Sequence, residues 1–191
     1  MDKPQELYRK ILLSADIDPN SIQSAINKIL EINYDDDVKE SQYKEWERKP
    51  ITIFINSYGG NVCDGLALVD IIKQSKTPVH TVSIGSSMSM GFWIYLAGHK
   101  RFVGEHTTLM FHDIYAGAID KTEGIKQELD FAIRLQNMIC DEIVSTSKVK
   151  RKMLESFINR KAEWYITADE AVKLKLADDY YRRDNDEKSK H

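Results

Sequence analysis

The chain holds only two cysteines in 191 residues, Cys63 and Cys140. They lie far apart and form no Cys-x-x-Cys pair, which excludes a disulfide framework and leaves reduced core thiols as the expectation. No apolar run approaches the ~18 residues that a membrane helix needs. The start, Met1-Asp2-Lys3-Pro4-Gln5-Glu6, has no apolar signal region. A cytoplasmic chain without a membrane partner is therefore expected. His-Glu-x-x-His and clustered Cys/His spacings are missing, so His80, His99, His106 and His191 are expected to be structural or surface residues, with no metal or other cofactor. A Gly-x-x-x-x-Gly-Lys-Ser/Thr segment is missing too, which excludes ATP hydrolysis by this chain. An excess of either charge sign is also lacking, with a formal net charge of −3. The basic cluster Lys148-Val149-Lys150-Arg151-Lys152 is short, lacks interleaved aromatics and reads as a solvated helix face, so no nucleic acid is expected.

What the chain does have is apolar content, 42% of its residues, enough for one domain with a sizeable core. Strand and helix patterns alternate. Ile11-Leu12-Leu13 reads as a strand, and Asp18-Pro19 opens a helix with an apolar face of Ile22, Ala25, Ile26, Ile29 and Leu30. Tyr34 to Lys49, rich in Asp, Glu and Lys, reads as a polar surface loop. Then follow strand Ile51 to Ile55, helix Val62 to Ser75, strand Val79 to Ile84, helix Met88 to Ala97, and strands at Arg101 to Val103 and Thr108 to His112. The pattern predicts a long amphipathic helix from Thr122 to about Thr146, then short helices at Lys150 to Ile158 and Ala168 to Lys173. Arg182 to His191 reads as a frayed tail.

Three segments carry chemistry. Gly85-Ser86-Ser87-Met88-Ser89-Met90-Gly91 joins a strand pattern to a helix pattern, a junction where a nucleophile can be mounted beside unpaired helix N–H groups. Small residues there also suit a purely structural turn. Asn56-Ser57-Tyr58-Gly59-Gly60-Asn61-Val62 is a second turn after a buried strand, and Thr108-Leu109-Met110-Phe111-His112-Asp113 ends a third strand on a histidine. The spacing from Ser89 to His112 leaves room for a helix, a turn and two strands that return the imidazole beside the serine.

Taken together and in this order, these segments resemble the proteolytic subunit of Clp protease (ClpP), whose signatures look like Ile-Asn-Ser-Pro-Gly-Gly, Gly-x-Ala-Ala-Ser-Met-Gly and Met-x-His-Gln-Pro. The resemblance runs from about Ile11 to Asp178 and implies one ClpP-like peptidase domain over residues 1–191. The implied fold is α/β, a ClpP/crotonase-like spiral of repeated ββα units with a long handle helix. It implies Ser89 as nucleophile, His112 as general base, the N–H groups of Gly60 and Met90 as oxyanion hole, and Asn61 and Val62 as an edge for extended peptide. Counting back from Thr167-Ala168-Asp169-Glu170-Ala171 puts Glu163 where the family has an aspartate. Asp113 and Asp169 are the fallback carboxylates, although a Thr167…Glu170 capping box favours a structural role for Asp169.

Tyr58, Ser86-Ser87-Met88 and Asp113-Ile114 depart from the family signatures, so a diverged member is expected. The implied activity is serine endopeptidase hydrolysis of unfolded proteins or peptides through an acyl-enzyme. The implied assembly is heptameric rings stacked into a tetradecamer, with a segment around Gly117 pairing across rings and a separate AAA+ unfoldase ATPase as partner. The alternatives are a catalytically silent ClpP-like scaffold subunit of a mixed ring, and a crotonase-type acyl-CoA enzyme.

Overall fold

Asp18 ends its extended segment by accepting the backbone N–H of Ser21, whose hydroxyl in turn accepts the N–H of Asp18, and Pro19 fixes the first helical φ. Local chemistry of this kind sets most element boundaries in the computed structural model, which describes residues 5–115, 117 and 121–182. In chain order these are α1 (Gln5–Tyr8), β1 (Lys10–Leu13), α2 (Pro19–Gln42), β2 (Ile51–Ser57), α3 (Val62–Gln74), β3 (Val79–Met88), α4 (Met90–Leu96), β4 (Lys100–Val103) and β5 (Thr108–Phe111). They continue as α5 (Thr122–Thr146), α6 (Arg151–Asn159), β6 (Trp164–Thr167), α7 (Ala168–Lys173) and β7 (Asp179–Tyr180). The expected tail lies outside the described residues except for Arg182, as do residues 116 and 118–120 beside Gly117.

The sheet runs β1-β2-β3-β4-β7, all parallel, while β5 pairs in parallel with β3 and antiparallel with β6. The α/β expectation holds. The fold pivots on β3, whose first half lies between β2 and β4 and whose last residues, Ser86–Met88, pair with Thr108–Met110 of β5. Gly85, Ser86, Ser87 and Met88 therefore extend a strand where a turn was expected, and α4 starts at Met90. Gly85 permits this through φ +69, a backbone conformation that side-chain-bearing residues rarely adopt.

Two further expectations change. Tyr34 to Gln42 is helical, because the acidic run is anchored from outside it: Asp36 is fully buried, paired with the Arg9 guanidinium, and accepts from Thr77 Oγ1 at 2.7 Å. Only residues 43–49 are non-helical within the expected loop. Cys63 is exposed in the first turn of α3, off the buried face of Gly65, Leu68, Val69 and Ile72, while Cys140 is buried; both thiols are free. Along α5 the apolar face divides. Leu135, Ile139 and Ile143 join the core, whereas Ile125, Leu129 and Ile133 are exposed.

Candidate active site

β3 ends by projecting Ser89 from the sheet. Its backbone, at φ 52 and ψ −123, lies in a region that costs a non-glycine residue about 1–3 kcal/mol. Surrounding contacts impose the conformation. The Ser89 N–H donates to Met110 O of β5 at 3.0 Å, and its carbonyl accepts the N–H groups of Phe92 and Trp93 at 3.0 and 3.2 Å. All seven residues of α4 are buried, which pins the helix that follows. The result is a rigid, partly accessible hydroxyl beside the first helical N–H, that of Met90, which has no intrahelical acceptor.

β5 pairs with this end of β3, so the residue that follows it arrives beside the serine. His112 Nε2 lies 2.8 Å from Ser89 Oγ. The other ring nitrogen, Nδ1, contacts the backbone carbonyl of Asp113. A carbonyl oxygen can only accept, so Nδ1 carries the proton and Nε2 turns its lone pair to the serine hydroxyl. That is the tautomer a general base requires. Tyr115 leans on the imidazole with ring centroids 4.9 Å apart.

Glu163 comes in on the opposite strand. The antiparallel register pairs Met110 with Tyr165 and ends on Phe111 with Trp164, so His112 and Glu163 are the residues that flank the last pair of the ladder. β6 buries Trp164 and Ile166 and turns Tyr165 and Thr167 outward, with Glu163 on that same outward side. The Glu163 carboxylate accepts from the Tyr165 hydroxyl, two residues along its own strand. Glu163 holds that phenol above its usual pKa range, so it remains a donor at neutral pH. The fallback carboxylates are arranged differently. Asp113 meets the ring through its backbone, and Asp169 accepts from the Tyr180 hydroxyl in the first turn of α7, where Thr167 and Glu170 form the expected capping box.

The Gly59-Gly60 turn closes the site's other side. Gly60 bridges to Ile17, with Ile17 N–H donating to Gly59 O and Asn61 N–H to Ile17 O, both at 2.8 Å. A Cβ on Gly60 would stand 2.3 Å from Ile17 O, and one on Gly59 would stand 2.7 Å from Ser89 Cβ. Both glycines are required by close approach as well as by φ values of +150 and +109. Asn61 caps α3 by accepting from Asp64 N–H at 3.0 Å. Val62 lines a small apolar cleft over Ser89 and His112, walled by Phe92, Trp93, Phe111, Ile114 and Ile139. Gly59, Tyr115 and Tyr165 belong to this site and went unrecognised in the sequence. Gly59 stood in the quoted turn, whereas the two tyrosines carry no local signal.

The α/β sheet thus mounts a serine hydroxyl within hydrogen-bond distance of an imidazole. The chain belongs to the Clp protease family, whose model matches residues 5–184. It is similar to the ATP-dependent Clp protease proteolytic subunit of Borreliella afzelii, 26% identical over 178 residues that cover 92% of this chain and 84% of that protein. It is also similar to subunit 1 of that protease from Prochlorococcus marinus strain MIT 9312, 30% identical over 132 residues, 68% of this chain and 67% of that one. Among solved structures, a point mutant of ClpP1 from Listeria monocytogenes matches with a TM-score of 0.78 and 26% identity, covering 96% of this chain and 98% of that chain.

Proposed function

We propose that this chain is a serine endopeptidase of the Clp type, cleaving peptide bonds of unfolded proteins or peptides. The observation that carries the reading is the 2.8 Å contact between Ser89 Oγ and the unprotonated Nε2 of His112. In the proposed reaction His112 Nε2 takes the Ser89 proton as Oγ bonds to the substrate carbonyl carbon. The Gly60 and Met90 N–H groups receive the resulting oxyanion. His112 then protonates the departing amine as the C–N bond breaks, and the ester is hydrolysed by water that His112 activates in turn. Glu163, which with His112 flanks the last pair of the β5–β6 ladder, is the carboxylate available to stabilise the imidazolium. Extended peptide would add along Asn61 and Val62 by backbone pairing, which tolerates varied sequences.

Assembly into stacked heptameric rings fits the exposed Ile125, Leu129 and Ile133 on α5, apolar surface that a partner copy would cover. A separate AAA+ ATPase would supply unfolded substrate. No helix among the described residues is long and apolar enough to cross a membrane, which suits cytoplasmic work. The family membership sets aside the crotonase-type reading. The scaffold-subunit reading is favoured by one feature, the engagement of Glu163 with Tyr165.

The deciding experiment is hydrolysis of a fluorogenic peptide by the isolated protein. Turnover supports the endopeptidase, and its absence in a folded, assembled protein supports the scaffold. A related expectation concerns Gly59→Ala. The new methyl would push on Ser89 Cβ and, at 3.0 Å, on Met88 O. Displacing the nucleophile on that scale should lower kcat/KM about 100-fold. Kinetics on the variant, compared with its far-ultraviolet circular dichroism, check this.

A further inference from the structure

Glu163 accepts from one donor, Tyr165, and flanks the end of the ladder beside a second, His112. The His112 Nδ1–H would be its partner in a working site. The same outward face presents Tyr165 two residues on, and Tyr165 holds the carboxylate. An aspartate at this position, one methylene shorter, would have less reach along the strand; the longer glutamate arm makes the second partner accessible. Meanwhile Nδ1 is left with the uncharged carbonyl of Asp113. That carbonyl suffices to fix the tautomer of the resting histidine. It provides far less stabilisation than a carboxylate for the positive charge that develops when His112 takes the serine proton.

We propose, resting on the serine-peptidase reading above, that Tyr165 is a positioning residue that competes with His112 for Glu163 and keeps the carboxylate off the imidazole. The hydroxyl acts as a latch on the carboxylate and does not line the apolar cleft. Tyr165 is 54% exposed, so the latch sits at the surface, next to the 84% exposed Tyr115 that leans on the imidazole.

The test is a mutant cycle read as kcat and KM on one fluorogenic peptide. Tyr165→Phe keeps the exposed ring and deletes the donor, so it should raise kcat about tenfold while KM stays unchanged. Glu163→Asp, a second route that keeps the charge and shortens the arm, should also raise kcat. In the Tyr165→Phe background, Glu163→Gln should cancel the whole gain, because only a released carboxylate has an effect to lose. Tyr165→Phe combined with Ser89→Ala should show no turnover. Equal kcat for wild type and Tyr165→Phe would overturn the latch and leave the peptidase reading standing. A gain that survives Glu163→Gln would also overturn it. Absence of turnover in wild type and every variant, all folded, would remove the peptidase reading and the latch together.

Discussion

Replacing Ser89 with alanine is expected to abolish peptide hydrolysis, with a fall in kcat on the order of 10⁵–10⁶-fold, while the protein still folds. The chemical side of this expectation follows from the site. Ser89 Oγ is the hydroxyl that His112 Nε2 faces, so removal leaves the base without a proton to take. The structural side follows from how Ser89 is held. Its unusual backbone is imposed by backbone hydrogen bonds to Met110, Phe92 and Trp93, none of which uses the side chain. Alanine keeps the Cβ and loses a single oxygen at a partly exposed position, so no appreciable cavity forms. Thermal unfolding of Ser89→Ala should match wild type within a few degrees. A mutant that retains turnover would mean that another group is the nucleophile.

The largest stability effect is expected far from the site, at Asp36. Its carboxylate is buried on α2 and bound by the Arg9 guanidinium and by Thr77 Oγ1 at 2.7 Å; Arg9 also donates to Lys49 O at 2.7 Å. This cluster joins the residue before β1, the C-terminal half of α2 and the approaches to β2 and β3. Asp36→Ala would strand a nearly buried guanidinium, and breaking such a pair costs about 3–5 kcal/mol. Urea unfolding at pH 7 should show a lower midpoint with an unchanged slope. The same pair gives a pH dependence. Burial pushes the Asp36 carboxyl up, but hydrogen bonds from Arg9 and Thr77 and the nearby cationic charges outweigh it and hold the pKa below the ordinary value. The stabilisation is therefore fully present above the unfolded-state pKa of about 3.9 and is lost as pH falls through the folded value. Asp36→Asn should flatten that acid limb.

Asp36 also shows why the sequence was legible in parts. The serine turn, the glycine turn and the strand-end histidine announce themselves through local chemistry: small residues, a strand pattern, an abrupt polar residue. The capping residues Asp18 and Thr167 do the same, and both helices begin where expected. Asp35-Asp36-Asp37 looks like a loop because the partner that makes Asp36 a core residue comes from Arg9, 27 positions earlier. β6 was missed for a similar reason. Four residues, Trp164–Thr167, carry little signal until β5 pairs with them. Strand β3 outran its apolar pattern because Ser86 and Ser87 are polar yet buried between neighbours, with Ser87 Oγ 2.6 Å from Ser83 Oγ. Glu163 was identified through the family resemblance alone. Which donor it takes depends on Tyr165, a neighbour on the same strand face whose importance appears only once the strand exists.

The central claim is that Ser89 is an activated nucleophile, and intact-mass measurement after incubation with a fluorophosphonate probe tests it most directly. Wild type should gain the mass of one adduct per chain, and Ser89→Ala should gain none. A folded, assembled wild-type protein that gains no adduct, or a Ser89→Ala variant that gains the same one, would contradict the account.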